Sequence, residues 1–411
     1  MEVLGQTELC VGSVCSGMST ETVALEALKR VAPPFRYDVK LVCELEPAKL
    51  KYLRKLHPTA HHAKDVRDLK SESDLVTHPL LDVLFAGISC KCVSRLNMTP
   101  DSVLSMKGST GQTLRGLRDF VLAMPFEVRP KAIFLENVAA LDAKRAVEGH
   151  RVATTLIKEV FDPLGYSCDW ATVSAKDFYL PQHRLRVWMV FLKRPSQATS
   201  DAALEATAAK LRAILQSVRR FMLPAPEPLS QVLRRLGSTA FADKTPAAKS
   251  KAAPVSEKTR EGLKKYAKAQ KITLSKADEQ LFKKAVGRAW SYRAADSCYT
   301  KLAEMKKKHG WNWKEDTLVL SAGQSISVMQ CCGEIFPTIT PKGECLVLLD
   351  GEAHRPSGAL SLALQGVQDS ERQFMGMDKL SSTLQQDFAG NGFTASTCLA
   401  FILAVLLNLD A

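Results

Sequence analysis

Short apolar segments alternate with helical segments from residue 8 to about residue 193, and this alternation restricts the fold. Six segments are rich in the β-branched, aromatic and other apolar residues typical of buried strands: ELCVGSVC, VKLVCEL, DVLFAG, KAIFLEN, CDWATV and RLRVWMVFL. Helical patterns such as TETVALEALKRV and PAKLKYLRKLH lie between them. Strands that alternate with helices form βαβ units, so we expect an α/β fold with a doubly wound, mostly parallel sheet.

The alternation ends near residue 194, and a chain of 411 residues is too long for one ordinary core. We therefore expect a first domain over 8–194, a smaller inserted domain over 195–335, and a C-terminal segment over 336–411 that returns to the first domain. A stretch near 243–258 is rich in Pro, Ala and Lys. Such a composition cannot bury a core, and it predicts a flexible insert.

The positive charge of the chain is concentrated in one block. The chain carries a net charge of +13, and residues 244–314 contain 19 Lys and Arg against 6 Asp and Glu. This block accounts for the whole excess, and it includes Lys306, Lys307 and Lys308 followed by Trp311 and Trp313. Basic residues interleaved with aromatic ones suit phosphate contacts and base stacking, so we expect nucleic acid as a partner. A solvated charged face is the alternative for the block, and core packing is the alternative for either tryptophan.

The cysteines and the apolar segments indicate a soluble intracellular protein. The eleven cysteines show no repeated spacing, and the N-terminal sequence lacks the pattern of a signal peptide, so we expect reduced thiols. The longest apolar run, CLAFILAVLLNL, is shorter than the ~20 residues that span a bilayer. It predicts a buried helix and no membrane partner.

Polar residues follow several predicted strands at the point where each strand ends. In a doubly wound sheet, ligands bind beyond the carboxyl ends of the strands. Gly17 lies in the first turn, Glu44 ends the second strand, and Asp65 lies in a later turn. These three residues suit a nucleoside with a charged tail, such as S-adenosylmethionine. An ordinary tight turn at Gly17 and a solvated Glu44 are the alternatives.

Cys90 and Cys92 follow the third predicted strand, with Lys91 between them. A zinc site requires further ligand pairs that the sequence does not contain, and the spacing differs from the C-x-x-C of redox pairs. We therefore expect no metal. Cys92 fits a core cysteine, whereas Cys90 fits a nucleophile, because a neighbouring cation favours the thiolate of a cysteine whose pKa is normally about 8.5.

Eight segments identify a family that the chain resembles. SVCSGMST, CELEPA, KDVRD, GISCKCVS, FLENV, LPQHRLRVWMVF, ALQG and AGNGF occur in the order found in cytosine-5 DNA methyltransferases. The resemblance covers residues 9–193 and about 336–411. It implies a Rossmann-like, S-adenosylmethionine-dependent methyltransferase fold, with a catalytic domain over 8–194 and a target-recognition region over 195–335.

The resemblance also implies roles for individual residues. Cys90 would attack carbon 6 of a cytosine flipped out of its helix, and Glu136 would hold and protonate the ring at nitrogen 3. Arg184 would support the ring and the catalytic loop. The residues expected to bind S-adenosylmethionine are Cys15, Gly17, Met18, Thr20, Glu44, Leu45, Asp65, Val66 and Asn391. Those expected to contact nucleic acid are Lys91, Gln182, Arg186, Lys306, Lys307 and Lys308.

The chain departs from the family pattern at several positions. The family usually has Pro-Cys-Gln at the nucleophile, where this chain has Ser89, Cys90 and Lys91. We expect Ser89 to make this loop less rigid, because proline restricts the backbone. Lys91 would either stabilise the thiolate or contact a phosphate. Cys15 replaces an aromatic residue, and Phe393 replaces a valine.

Two other functions fit the sequence. The first is the same reaction on transfer RNA, although the Cys-Phe-Thr signature of that subfamily does not occur. The second is a catalytically silent paralogue that binds DNA as a regulator, which the altered nucleophile loop favours and the retention of Cys90 and Glu136 opposes. We expect a DNA methyltransferase that acts on double-stranded DNA, with RNA as a second candidate substrate and a nuclear location in a eukaryote.

Overall fold

The computed structural model describes residues 8–71, 81–93, 108–143, 153–196, 200–242, 257–286, 292–322, 324–341 and 343–409. The chain divides into two compact units. The first unit comprises Met1–Phe178, Leu185–Pro224 and Asn391–Ala411, and the second comprises Tyr179–Arg184 and Ala225–Gly390.

A seven-stranded sheet lies at the centre of the first unit. Its strands are β1 (Glu8–Val14), β2 (Arg36–Cys43), β3 (His61–Ala63), β4 (Val83–Ala86), β5 (Ala132–Val138), β6 (Tyr166–Ser174) and β7 (Leu185–Lys193). Their order is β3-β2-β1-β4-β5-β7-β6. Strand β7 runs antiparallel to β5 and β6, and the other neighbouring strands are parallel. The predicted α/β class with a mostly parallel sheet is confirmed.

Helices cover the sheet of the first unit. They are α1 (Thr20–Val31), α2 (Pro47–Leu56), α3 (Ser109–Ala123), α4 (Ala153–Phe161) and α5 (Asp201–Arg220). Strand β4 is buried along its whole length, as expected for a central parallel strand with covered faces. Phe85 of β4 stacks on Phe134 of β5, with ring centroids 4.8 Å apart. The core of the first unit therefore runs through the strands whose carboxyl ends carry the predicted site.

The second unit contains a smaller antiparallel sheet. Its strands β8 (Leu318–Leu320), β9 (Cys331–Gly333), β10 (Leu346–Leu349) and β11 (Glu352–His354) have the order β11-β10-β8-β9. The helices that follow the first unit along the chain are α6 (Leu229–Leu236), α7 (Glu257–Ala269), α8 (Lys276–Val286), α9 (Tyr292–His309), α10 (Gly358–Ala363), α11 (Asp369–Phe374) and α12 (Ser382–Asn391). Buried side chains from α8, α9, β8 and β10 form one core cluster.

The boundaries of the two compact units differ from the predicted domain boundaries. Helix α5 lies in the predicted insert, yet it belongs to the first unit, because its apolar face packs against β6. The segment CLVLLD forms β10 and pairs with β8, so it belongs to the second unit. The return to the first unit begins at Asn391 rather than at residue 336. Most of the expected flexible insert, residues 243–256, lies outside the described residues.

The last helix, α13 (Ala395–Leu409), lies against α1 and α5 in the first unit. By length and composition alone, the stretch Ser382–Asn408 could cross a membrane. Of its most apolar 18-residue segment, 61% is buried inside the protein. Phe401 of α13 stacks on Trp188 of β7 with ring centroids 5.0 Å apart. These contacts agree with the predicted buried helix.

Candidate active site

The turn between β1 and α1 has a sharply bent backbone. Cys15, Gly17 and Ser19 have φ angles of 54°, 57° and 59°. Glycine adopts this left-handed region readily, whereas Cys15 and Ser19 adopt it against their steric preference. The bend allows the Gly17 amide to donate a hydrogen bond to Glu44 Oε2 at 2.8 Å.

Two backbone amides hold the carboxylate of Glu44 at the end of β2. Gly17 N donates to Oε2, and Glu46 N donates to Oε1 at 2.9 Å. The residue is 9% exposed. Two amide donors fix the carboxylate in one orientation. Each oxygen keeps a lone pair that can accept a hydrogen bond from a ligand hydroxyl.

Cys15 lies near the carboxylates of Glu44 and Asp65. Burial raises the pKa of the Cys15 thiol to about 12, with smaller contributions from the two carboxylates. Asp65 itself forms an ion pair with Arg67, whose hydrogen bonds hold the pKa of Asp65 below its ordinary value. The predicted rim therefore combines a neutral thiol at Cys15 with two acidic side chains.

The other residues predicted to bind the cofactor differ in their exposure. A β-carbon built on Gly17 would lie 3.8 Å from the backbone oxygen of Asn391, so Asn391 borders this turn. The buried members of the set are Met18, Thr20 and Val66. Leu45 is 59% exposed. The Thr20 hydroxyl is buried and has no hydrogen-bond partner among the residues that the structure describes.

The nucleophile loop begins where β4 ends. Asn137 Nδ2 donates to Ile88 O at 2.9 Å, which ties this loop to the end of the neighbouring strand β5. Cys90 is half-buried, and Cys92 is buried in the core as the sequence predicts. Lys91 is exposed. The sequence predicted no role for Asn137, although this residue directly follows Glu136 in the segment FLENV.

Glu136 and Arg186 form a buried ion pair. Glu136 lies on β5 and Arg186 on β7, which is the antiparallel neighbour of β5. Arg186 Nε lies 3.1 Å from Glu136 Oε1, and the two side chains are 14% and 11% exposed. The sequence predicts that Arg186 contacts nucleic acid. In the structure its guanidinium pairs with the carboxyl group of Glu136, and its contact with nucleic acid stays a prediction.

Arg184 and Gln182 belong to the second unit, in the segment that precedes β7. Arg184 is 3% exposed, and its Nη1 donates to the backbone oxygens of Ile339 and Gly390 at 3.4 Å. Gln182 is fully buried, and its side-chain amide has no hydrogen-bond partner within the described parts of the chain. The structure groups both residues with their own unit, and their predicted roles at the base stay predictions.

The three predicted lysines of α9 have different surroundings. Lys307 Nζ donates to the backbone oxygens of Gln270 and Lys271, just beyond the end of α7. Lys308 forms an ion pair with Glu304. Lys306 is exposed. Their predicted contacts with nucleic acid stay predictions, and Lys306 is the member of the three best placed for one.

Comparison with known proteins identifies related sequences. The model of the family described as C-5 cytosine-specific DNA methylase matches residues 11–331. A DNA (cytosine-5-)-methyltransferase of Cryptococcus neoformans, DMT5, is 26% identical over 48% of this chain and 8% of its own length. The type II methyltransferase M.NlaIV of Neisseria lactamica is 30% identical over 42% of this chain and 38% of its own length. The matches span less than half the length of these relatives.

Solved structures share the fold. A methyltransferase of Entamoeba histolytica has a TM-score of 0.52 and 13% identity, over 99% of this chain and 100% of its own. A putative DNA modification methyltransferase encoded within an Escherichia coli prophage also has a TM-score of 0.52, with 14% identity over 98% and 100% of the two chains. At these identities the likeness concerns the fold alone.

Proposed function

The chain belongs to the C-5 cytosine-specific DNA methylase family, and we propose that it transfers a methyl group from S-adenosylmethionine to carbon 5 of cytosine in double-stranded DNA. One observation carries this proposal. Cys90 follows the end of β4, Glu136 lies in the last residues of the adjacent strand β5, and Asn137 joins the two segments through its 2.9 Å hydrogen bond to Ile88. This arrangement at one edge of the sheet supports Cys90 as the nucleophile and Glu136 as the acid.

These groups support a reaction at a flipped cytosine. The thiolate sulfur of Cys90 forms a bond to carbon 6 while Glu136, which takes up a proton from water for this step, donates that proton to nitrogen 3 and so makes carbon 5 nucleophilic. Bound S-adenosylmethionine supplies the electrophilic methyl group. Once carbon 5 carries the methyl group, with S-adenosylhomocysteine as the leaving group, a water molecule removes the proton from carbon 5 and Glu136 takes back the proton from nitrogen 3. The bond from carbon 6 to sulfur then breaks, and Cys90 leaves as the thiolate.

The rim around Glu44 fits S-adenosylmethionine. The carboxylate of Glu44 is oriented by Gly17 and Glu46, and it accepts hydrogen bonds as ribose hydroxyls require. The buried Thr20 hydroxyl, at the first position of α1, offers a polar contact for the charged methionine part. Asp65 and Asn391 border the same space, so this cofactor is part of the proposal.

The basic helices of the second unit support DNA as the substrate. Residues 244–314 hold the whole excess charge of the chain, and α7, α8 and α9 lie within this range. Concentrated Lys side chains neutralise phosphates and release counterions. The proposal therefore includes a target-recognition role for the basic region, and an intracellular location that is nuclear in a eukaryote.

A methyl-transfer assay tests the proposed function. Tritiated S-adenosylmethionine is incubated with the protein and either duplex DNA, transfer RNA or no substrate. We expect labelled 5-methylcytosine in DNA, and none with the Cys90→Ala variant. Label in transfer RNA alone would assign the RNA substrate instead. Binding of DNA without transfer to either nucleic acid would favour a silent regulator and contradict the proposal.

A further inference from the structure

Three hydroxyl side chains of α3 surround the loop that carries Cys90. Ser109, Thr110 and Thr113 lie in the first two turns of this helix. Ser109 and Thr113 are four residues apart, so they lie on one face of the helix, and Thr110 is adjacent. We call this set the hydroxyl clamp. Thr110 is fully buried.

The hydroxyl clamp contacts the loop on both sides of Cys90. Before Cys90, the Ser89 amide donates to Thr113 Oγ1 at 3.3 Å, and the hydroxyls of Ser89 and Ser109 lie 3.1 Å apart. After Cys90, the Cys92 amide donates to Thr110 Oγ1 at 3.0 Å. The nucleophile thus lies between two backbone amides that one rigid helix holds.

The geometry of Thr113 explains why its oxygen can accept. Its own hydroxyl hydrogen is directed to the helix, since Oγ1 lies 3.0 Å from the backbone oxygens of Ser109 and Thr110. A lone pair therefore remains for the Ser89 amide. The Lys91 amide also lies 3.4 Å from Ser89 Oγ, so the Ser89 side chain joins the helix to the turn itself.

We propose that the hydroxyl clamp positions Cys90 for attack, and that it replaces the restraint which a proline at position 89 would supply. This inference rests on the proposed function. The sequence predicts a loosened loop at Ser89, because serine restricts the backbone less than proline. Two contacts oppose that loosening, since Ser89 adds a hydroxyl and an amide donor and both contact α3. Ser109, Thr110 and Thr113 are positioning residues, since they act through the loop.

Substitution of Thr110 tests the clamp. Thr110→Val preserves the shape of the side chain and removes the acceptor for the Cys92 amide, whereas Thr110→Ser retains the hydroxyl. Hydrogen–deuterium exchange of the peptide spanning residues 87–93 measures how strongly the backbone amides of this loop are protected. We expect faster exchange in Thr110→Val and wild-type exchange in Thr110→Ser. Covalent trapping by duplex DNA that carries 5-fluorocytosine should slow about 10-fold in Thr110→Val, because misplacing a nucleophile costs rate.

Thr207→Val is the matched control. Thr207 is also a buried helical threonine, and its hydroxyl donates to Ala203 O within α5. The control should leave exchange of residues 87–93 and trapping unchanged. Binding of S-adenosylhomocysteine should be unchanged in all these variants. If Thr110→Val does not fold, Thr113→Val removes the acceptor of the Ser89 amide and provides the same comparison.

The outcomes separate this inference from the proposed function. Wild-type exchange and wild-type trapping in Thr110→Val would overturn the clamp. A wild-type protein that traps no 5-fluorocytosine DNA would overturn the proposed function. In that case exchange of residues 87–93, together with alkylation of Cys90 by iodoacetamide, still decides whether the hydroxyls hold the loop.

Discussion

Arg186 Nε lies 3.1 Å from Glu136 Oε1, and the two residues lie on neighbouring antiparallel strands. Both side chains are largely removed from water, so each charge depends on the other for compensation. The pair also lies next to the strand end that Asn137 joins to the Cys90 loop. One ion pair therefore contributes both to the stability of the sheet edge and to the orientation of the proposed acid.

Arg186→Met should destabilise the protein and slow methyl transfer. Removal of the guanidinium leaves a buried carboxylate without its cation, which typically lowers the free energy of unfolding by about 3 kcal/mol. Urea unfolding of Arg186→Met and of the double variant Glu136→Gln/Arg186→Met measures this. The double variant should recover part of the loss, since it removes the buried charge as well.

Arg212→Met is the control for this prediction. Its ion pair with Glu205 is exposed, with side chains 56% and 71% accessible, and such pairs contribute at most about 1 kcal/mol. Equal effects of the two arginine substitutions would contradict a special role for the buried pair.

Cys90 and Cys92 should differ completely in covalent trapping. Cys90 is half-buried in the loop beyond β4, whereas Cys92 is buried in the core. Duplex DNA containing 5-fluorocytosine should form a covalent complex with wild type and with Cys92→Ala, visible as a band of higher mass after denaturation. Cys90→Ala should form none. A trapped complex in Cys90→Ala would assign the nucleophile to another residue.

Glu44→Gln should weaken cofactor binding. The carboxylate accepts from Gly17 N and Glu46 N, and a glutamine would oppose one of these amides with its own NH₂ donor. Loss of one such charged acceptor is worth about 1.5 kcal/mol, or roughly tenfold in affinity. Isothermal titration with S-adenosylhomocysteine measures the change. Glu46→Gln alters an exposed neighbouring carboxylate and should leave the affinity unchanged.

His57 should make the stability depend on pH. It is buried where α2 ends, and its Nε2 lies 3.2 Å from the hydroxyls of Ser19 and Thr22 near the β1–α1 turn. Burial, with a smaller contribution from His62, lowers the pKa of His57 to about 4. The unfolded chain binds a proton near the ordinary pKa of about 6.5, so acid favours unfolding below that pH.

Between pH 7.5 and pH 5 this residue should lower the free energy of unfolding by about 2 kcal/mol. The loss begins near the unfolded pKa and continues as the pH falls toward the folded value. Urea unfolding at the two pH values, in wild type and His57→Gln, isolates the contribution. His57→Gln should show a smaller drop. An identical pH dependence in both proteins would mean that His57 is not buried in its neutral form.

The local sequence predicted the sheet better than it predicted the division of the chain. All six predicted strands occur, because each is a long apolar run bounded by turn residues. Strand β3, whose sequence is His61-His62-Ala63, has no such pattern and forms only by pairing with β2. The segment CLVLLD forms β10, and its pairing with β8 is decided by tertiary contacts that the local pattern does not specify.

The sequence also predicted the candidate site only in part, because contacts between distant segments cannot be read from local patterns. The sequence predicted Glu44, Cys90 and Glu136 as site residues because each lies at or just beyond the end of a predicted strand. The carboxyl ends of parallel strands meet at one edge of the sheet. Thr110 lies 18 residues beyond its partner Cys92, and no spacing rule relates the two. The predicted contact of Arg186 with nucleic acid stays a prediction, and its pairing with Glu136 was not foreseen because it depends on the register between β5 and β7.

The surroundings of Glu304 distinguish the lysines of α9. Glu304 is 3% exposed, and it accepts hydrogen bonds from Tyr266, Lys301 and Lys308. Burial raises the pKa of Glu304, but the three donors outweigh it and lower the pKa to about 2. Glu304 is therefore ionised at neutral pH. Lys308 neutralises it, whereas exposed Lys306 projects from the same helix.

Lys306→Gln and Lys308→Gln should therefore affect different properties, DNA binding in the first variant and stability in the second. Lys306→Gln should weaken DNA binding and reduce the slope of log K against log salt by ~0.9, as one lost phosphate contact predicts, with unchanged stability. Lys308→Gln should instead lower the free energy of unfolding by up to about 1 kcal/mol. The effect is small because Lys308 is half exposed. This variant should keep the wild-type salt slope. Fluorescence anisotropy over a salt series and urea unfolding measure both quantities. A wild-type salt slope in Lys306→Gln would indicate that this face of α9 is solvated rather than bound to DNA.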